Sequence, residues 1–262
     1  MIGIFDSGIG GLTVVKEVLK QLPEYQIIYF GDTARTPYGN KSPKIIQQYA
    51  FKNTQFLIKK GAKLIIVACN TASAVAFNDL KSKYNLPIFE VITPAVEKAV
   101  SITKKKRVGV IGTRATIESG IYQNLIKKIN LKIDFFPQAC PLLVPLIEEN
   151  WMKKPETKMI LKKYLYPLKL KQIDTLILGC THYPIIKDLI QIKMGKRVKL
   201  VDSAEEIVIK LKQFVENNKG IEKGLAKNRD HQFYLSDITS RAQEIGNKWL
   251  ETKIKFQLAN FE

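Results

Sequence analysis

Short apolar runs rich in β-branched residues alternate along the whole chain with longer stretches of helical period. Ile2 to Phe5, Gln26 to Phe30, Leu64 to Ala68 and Ile88 to Val91 are predicted strands, followed by Arg107 to Gly112, Lys132 to Phe136, Thr175 to Leu178 and Val198 to Val201. After the first strand, Leu12, Val15, Val18, Leu19 and Leu22 share one helical face. A second helix is predicted to open at Ser42-Pro43, where serine can cap and proline fits the first turn, and to stop at Gly61. Apolar strands alternating with amphipathic helices call for an α/β protein with mainly parallel sheets flanked by helices.

An internal repeat organises the series. IGIFDSGIGGLTVV near the start resembles VGVIGTRATIESGI at 108–121, and LIIVACNTAS at 64–73 resembles TLILGCTHYP at 175–184. In the second pair an apolar strand ends in a cysteine followed by polar residues and a helix start, and Cys180 lies 111 positions after Cys69. Two pseudo-symmetric α/β lobes account for this spacing: 1–94 with 204–262 carrying Cys69, and 95–203 carrying Cys180. The segment 204–262 is expected to be mainly helical and to pack back onto the first lobe, being too short for a third domain. Ligands in open α/β sheets bind beyond the carboxyl ends of strands, so both cysteines are expected to face one interlobe cleft.

Composition narrows the class. The chain has 262 residues, 45% of them apolar and 25% charged, as in ordinary globular proteins. No apolar run approaches the ~18 residues of a membrane helix. The opening MIGIFDSGIGG has no basic stretch, so no secretory signal is expected. Three widely spaced cysteines, Cys69, Cys140 and Cys180, make no disulfide framework, which points to a reducing cytoplasm. The net charge of +18 attracts anions in general. Its lysines are scattered, however; the densest run is Lys104-Lys105-Lys106-Arg107, and no aromatic-interleaved patch accompanies them. An anion- or nucleic-acid-binding protein is therefore the weaker reading, and no specific nucleic acid is expected.

The Gly-rich turn Asp6-Ser7-Gly8-Ile9-Gly10-Gly11 fits no nucleotide motif. Thr13 stands where a dinucleotide fingerprint wants glycine, and the Gly-Lys-Ser/Thr of a Walker loop is absent. The turn either serves a sharp strand-to-helix reversal or lets Ser7 and neighbouring amides hold a small ligand while Asp6 does acid–base work. Cys140 reads as a small core hydrophobe. Cys69 and Cys180 sit past strands at expected helix N-termini, where the macrodipole favours a thiolate. Cys180-x-His182 falls short of zinc spacing, and a Cys–His hydrolase would leave the second cysteine unused. Two equivalent thiols facing one cleft suit inversion of a stereocentre: one takes the proton from one face of a carbon, the other delivers a proton to the opposite face, and both have a pKa tunable towards neutrality.

The blocks FDSGIGGL (5–12), YFGDTARTPYG (29–39), VACNTAS (67–73), IGTRATIESG (111–120), CPLLVPLIEE (140–149) and LGCTHYP (178–184) carry a resemblance. In this set and order the chain resembles the glutamate racemases of the aspartate/glutamate racemase family. The resemblance implies an isomerase that interconverts L- and D-glutamate without cofactor or metal, supplies D-glutamate for bacterial peptidoglycan, and works as a cytoplasmic homodimer. An aspartate racemase, one methylene away in substrate, is the near alternative. The resemblance also implies roles. Cys69 and Cys180 become the two catalytic acid/bases, with Asp6 assisting the first. His182 and Glu148, rather than Glu149, assist the second. Ser7, Tyr38, Gly39, Asn70, Thr71, Thr113, Thr116 and Thr181 hold the substrate, with Asp6 and His182 in contact. Asp32 matches an acidic family position that is catalytic or structural. Thr113 and Thr116 can equally cap a helix.

Overall fold

A computed structural model describes residues 1–260; Phe261 and Glu262, which the expected first lobe includes, lie outside the described residues. Ten strands follow in chain order: β1 (Ile2–Asp6), β2 (Ile27–Gly31), β3 (Leu64–Val67), β4 (Ile88–Glu90), β5 (Arg107–Gly112), β6 (Asp134–Ala139), β7 (Thr175–Gly179), β8 (Lys199–Asp202), β9 (Gln232–Leu235) and β10 (Phe256–Leu258). They form two wholly parallel sheets, β10-β9-β2-β1-β3-β4 and β6-β5-β7-β8. The order β2-β1-β3-β4 recurs as β6-β5-β7-β8, so the sequence repeat is a repeat of topology. It places Cys69 after β3 and Cys180 after β7, at matching positions.

The first sheet explains why its strands read as unbroken apolar runs. Ile2, Ile4, Ile27, Tyr29, Leu64 and Ile66 enter one core, while Phe5, Ile28, Phe30, Ile65 and Val67 enter another on the opposite face. With period-two alternation and both faces covered, every position of β1, β2 and β3 is buried. The first of these cores continues into the second lobe through Val108, Val110, Leu176 and Leu178.

Three expectations need refinement or correction. The segment after 203 is mainly helical but not helical alone: besides the helices Ser203–Asn217, Lys219–Lys223 and Ser240–Leu250 it contains β9, which pairs with β2, and β10, which pairs with β9. The sixth strand runs to Ala139 rather than stopping at Phe136, and it passes through Pro137. Proline is tolerated there because β6 is an edge strand whose outer side needs no ladder donor. Finally, Pro43 does open the helix Pro43–Lys59, but Ser42 makes no side-chain capping bond.

Candidate active site

The carboxyl ends of β1, β3, β5 and β7 converge on a cavity of about 270 Å³. Its wall includes Ser7, Tyr38, Gly39, Cys69, Asn70 and Thr71 from the first lobe and Thr113, Glu148, Cys180, Thr181 and His182 from the second. Thr36, Pro37, Asn40, Pro141, Val144 and Pro145 also line it. Sequence reasoning did not single these out, although all but Asn40 lie inside the YFGDTARTPYG and CPLLVPLIEE blocks. The wall contains no lysine or arginine among the described residues.

On one side, Cys69 heads the helix Asn70–Lys83. Its sulfur accepts from the Ala72 amide at 3.4 Å, and its thiol donates to Ser7 Oγ at 3.5 Å. The helix terminus is outweighed at this sulfur. Burial, reinforced by the Asp6 carboxyl, pushes the Cys69 thiol up to about 12 and outweighs its hydrogen bonding with Ser7 and Ala72. Asp6 is fully buried behind the cavity wall rather than in it. It accepts from the Gly8 amide at 3.0 Å and from Thr181 Oγ1 at 3.4 Å across the lobes. Its carboxyl is itself raised by burial, against the pull of His182 and the amides of Gly8, Gly11 and Ser7.

The other side is built differently. Cys180 does not cap an α-helix: a 3₁₀ turn, Tyr183–Ile186, follows it, and the helix proper starts at Lys187. A dipole account is therefore weaker here. A side-chain chain replaces it, in which His182 Nδ1 lies 3.8 Å from Cys180 Sγ and His182 Nε2 lies 2.8 Å from Glu148 Oε1. Burial alone would lower the affinity of His182 for a proton, but the bonds to Cys180 and Glu148 prevail and push it up to about 10. Glu149 is exposed and makes no such contact.

Residues 6–211 match the family model for Asp/Glu/hydantoin racemases. The chain belongs to that family. A glutamate racemase of Geobacter metallireducens is 43% identical over 253 residues, covering 97% of this chain and 93% of the relative. Among racemase structures, a Bacillus anthracis glutamate racemase isoform superposes with a TM-score of 0.94 at 37% identity, over 99% of this chain and 97% of that one. A Francisella tularensis glutamate racemase in complex with D-glutamate gives 0.91 at 40% identity, over 100% and 97%.

Within this racemase-family fold, hydroxyl groups knit the lobes together. Thr71 Oγ1 lies 2.9 Å from Thr113 Oγ1 and 3.1 Å from Thr116 Oγ1. Thr113 is both lining and cap, since its Oγ1 accepts from the Thr116 amide at 3.3 Å. Thr116 is buried behind it and does not line the cavity. Asp32 lies outside the cavity wall: it accepts from Tyr38, from Arg35 Nε at 2.8 Å and from Ser236 Oγ at 3.0 Å, anchoring the turn that carries Tyr38 and Gly39. Thr13 Oγ1 donates to the Thr181 carbonyl at 2.9 Å. Beside it, a Cβ on Gly10 would stand 2.3 Å from Thr181 Oγ1 and 2.5 Å from the His182 ring. Gly10→Ala is therefore expected to cost roughly 1–3 kcal/mol of stability by overpacking. Thermal unfolding beside Gly220→Ala, where nothing lies within 4 Å, checks this; equal melting temperatures would contradict it.

Proposed function

We propose that this chain is a glutamate racemase, interconverting L- and D-glutamate by proton transfer at Cα between two thiols. The observation that carries the reading is the presence of Cys69 and Cys180 in the wall of one cavity, after matching strands of the two lobes. The names borne by relatives of about 40% identity, and the D-glutamate complex of one of them, support glutamate over aspartate as the substrate. The lobes divide as 1–94 with 204–262, and 95–203.

In this proposal Cys69 works on one face of Cα and Cys180 on the other, each serving as base in one direction and acid in the reverse. Protonated His182 offsets the charge on Cys180 when that sulfur has lost its proton, and Glu148 steadies the imidazolium. Asp6 and Ser7 attend Cys69. The substrate carboxylates are held by neutral donors, the hydroxyls of Ser7, Thr71, Thr113 and Thr181 and the helix start at Asn70-Thr71, which suits anions without a lysine or arginine. Asn70 Oδ1 is buried without a hydrogen-bond partner, so it is the acceptor we assign to the substrate ammonium. Tyr38 and Gly39 complete the wall on the first-lobe side. Donors fixed around the α-carboxylate inside a small cavity stabilise the carbanionic transition state, because they need no reorganisation as charge develops.

The protein is expected in the cytoplasm, where its three free thiols stay reduced, as a homodimer supplying D-glutamate for peptidoglycan. Among the described residues no helix is long and apolar enough to cross a membrane.

The deciding experiment gives purified protein L-glutamate in D₂O, with circular dichroism following optical activity and proton NMR following the α-hydrogen. Optical activity decaying to zero while deuterium enters at Cα is the expected result. If aspartate racemises and glutamate does not, the substrate assignment is wrong; if neither changes, the catalytic reading fails.

A further inference from the structure

The helix Ser240–Leu250 lies beyond every motif of the sequence analysis, yet three of its residues meet the Cys180 side of the cavity. Arg241 Nη2 donates to the main-chain carbonyl of Glu148 at 2.8 Å. Lys248 Nζ donates to Asn150 Oδ1 at 2.7 Å. The Trp249 ring stands edge-on to the His182 imidazole, with centroids 5.6 Å apart and planes at 88°. Positions 241, 248 and 249 are spaced i, i+7, i+8, so one helix face spans Glu148, Asn150 and His182.

Glu148 is the last residue of the helix Leu143–Glu148, and its carbonyl is one of those left without a partner inside that helix. A guanidinium both satisfies it and complements the negative helix end. The Glu148 side chain is one-third exposed while that of its partner His182 is nearly buried. Solvent thus competes for the carboxylate, and the placement of its backbone decides how often it reaches the imidazole.

We propose that Arg241 is a positioning residue for proton transfer on the Cys180 side: by holding the Glu148 carbonyl, it fixes the point from which the Glu148 carboxylate reaches His182. The catalytic consequence rests on the racemase reading; the structural link does not. The ionisable groups around His182 are Cys180 on its own turn, Glu148 from the preceding helix and Asp6 from the first lobe. From the C-terminal helix come Arg241, paired with Glu244 at 3.1 Å, and Lys248. Glu148 is the group through which Arg241 acts, because it alone is bonded to both.

The chain has only two histidines, so proton–nitrogen NMR of the imidazoles follows His182 and His231 without an assignment problem. His231 accepts from the Ile27 amide on β2 and serves as internal control. Arg241→Gln is expected to lower the His182 titration midpoint by roughly half a unit or more, with Arg241→Lys restoring most of it. In a Glu148→Gln background, Arg241→Gln is expected to add no further shift. Turnover should follow, kcat falling roughly tenfold while KM stays within about twofold. An unmoved His182 midpoint in Arg241→Gln, or an equal shift in both backgrounds, overturns the proposal. A wild-type protein without racemase activity would overturn the function proposed above, while the titration would still decide the role of Arg241.

Discussion

Cys69→Ser and Cys180→Ser will each slow glutamate racemisation by at least ~10³-fold, the scale of losing a positioned acid/base group. The change replaces one sulfur by oxygen, and both sites are buried, so the far-ultraviolet spectrum and cooperative unfolding should survive. A hydroxyl fits the space but is too weak an acid to share a proton with Cα near neutral pH. The two variants should also differ in a mirror-image way. A remaining thiol can still remove the α-proton from the enantiomer that presents hydrogen to it and then return a solvent proton to the same face. Slow deuterium wash-in without inversion is therefore expected with one enantiomer in Cys69→Ser and with the other in Cys180→Ser. Proton NMR of each enantiomer in D₂O reads this directly. Wash-in to the same enantiomer in both variants would mean that the thiols do not address opposite faces; racemisation retained above about a tenth of wild type in either would remove that thiol from the mechanism.

What the sequence makes legible follows the range of the interactions. Strands β1, β2, β3, β5 and β7 announce themselves because they are covered on both faces, so that LIIV and TLIL are unbroken runs of buried residues. Strands β9 and β10 escape: β9 offers only the three apolar residues 233–235 behind a glutamine, and of Phe256–Leu258 only Phe256 is buried. The two-cysteine cavity was visible because its wall comes from strand ends, where the chain must turn and the chemistry stays local to a motif. Charge states were not visible. A cysteine at a helix start reads as an activated thiol, but whether burial overrides the dipole depends on how closely Asp6, Tyr29 and the second lobe surround it, and at Cys69 burial wins. Nor could any local pattern show Arg241 reaching Glu148 across 93 positions or Trp249 meeting His182. These contacts exist only once the C-terminal segment has threaded β9 against β2 and returned its helix to the cavity. The asymmetry of the site comes from the same source: the repeat supplies two matching thiols, whereas their partners, Ser7 and Asp6 for one and His182 and Glu148 for the other, differ.

That asymmetry sets up the second large effect, in His182→Gln. The glutamine keeps a polar group near Glu148 but offers no proton to Cys180, so kcat/KM should fall by roughly 10²–10³-fold. Because the enantiomers have equal free energy in an achiral solvent, the equilibrium constant is unity, and kcat/KM must fall by the same factor in both directions. A helper on one side can reveal itself only in how the loss divides between kcat and KM. The two directions should therefore divide it differently, and initial-rate circular dichroism from each enantiomer separates them. The pH dependence carries the sign. His182 is raised to about 10, so it stays protonated through neutrality and gives up its proton only in alkali. Wild-type activity should accordingly lose a step as pH rises towards 10, and His182→Gln should lack that step. Identical division of the loss in both directions, with the alkaline limb intact, would show that His182 does not serve one thiol in particular, and the chain from Glu148 through His182 to Cys180 would then be architecture rather than chemistry.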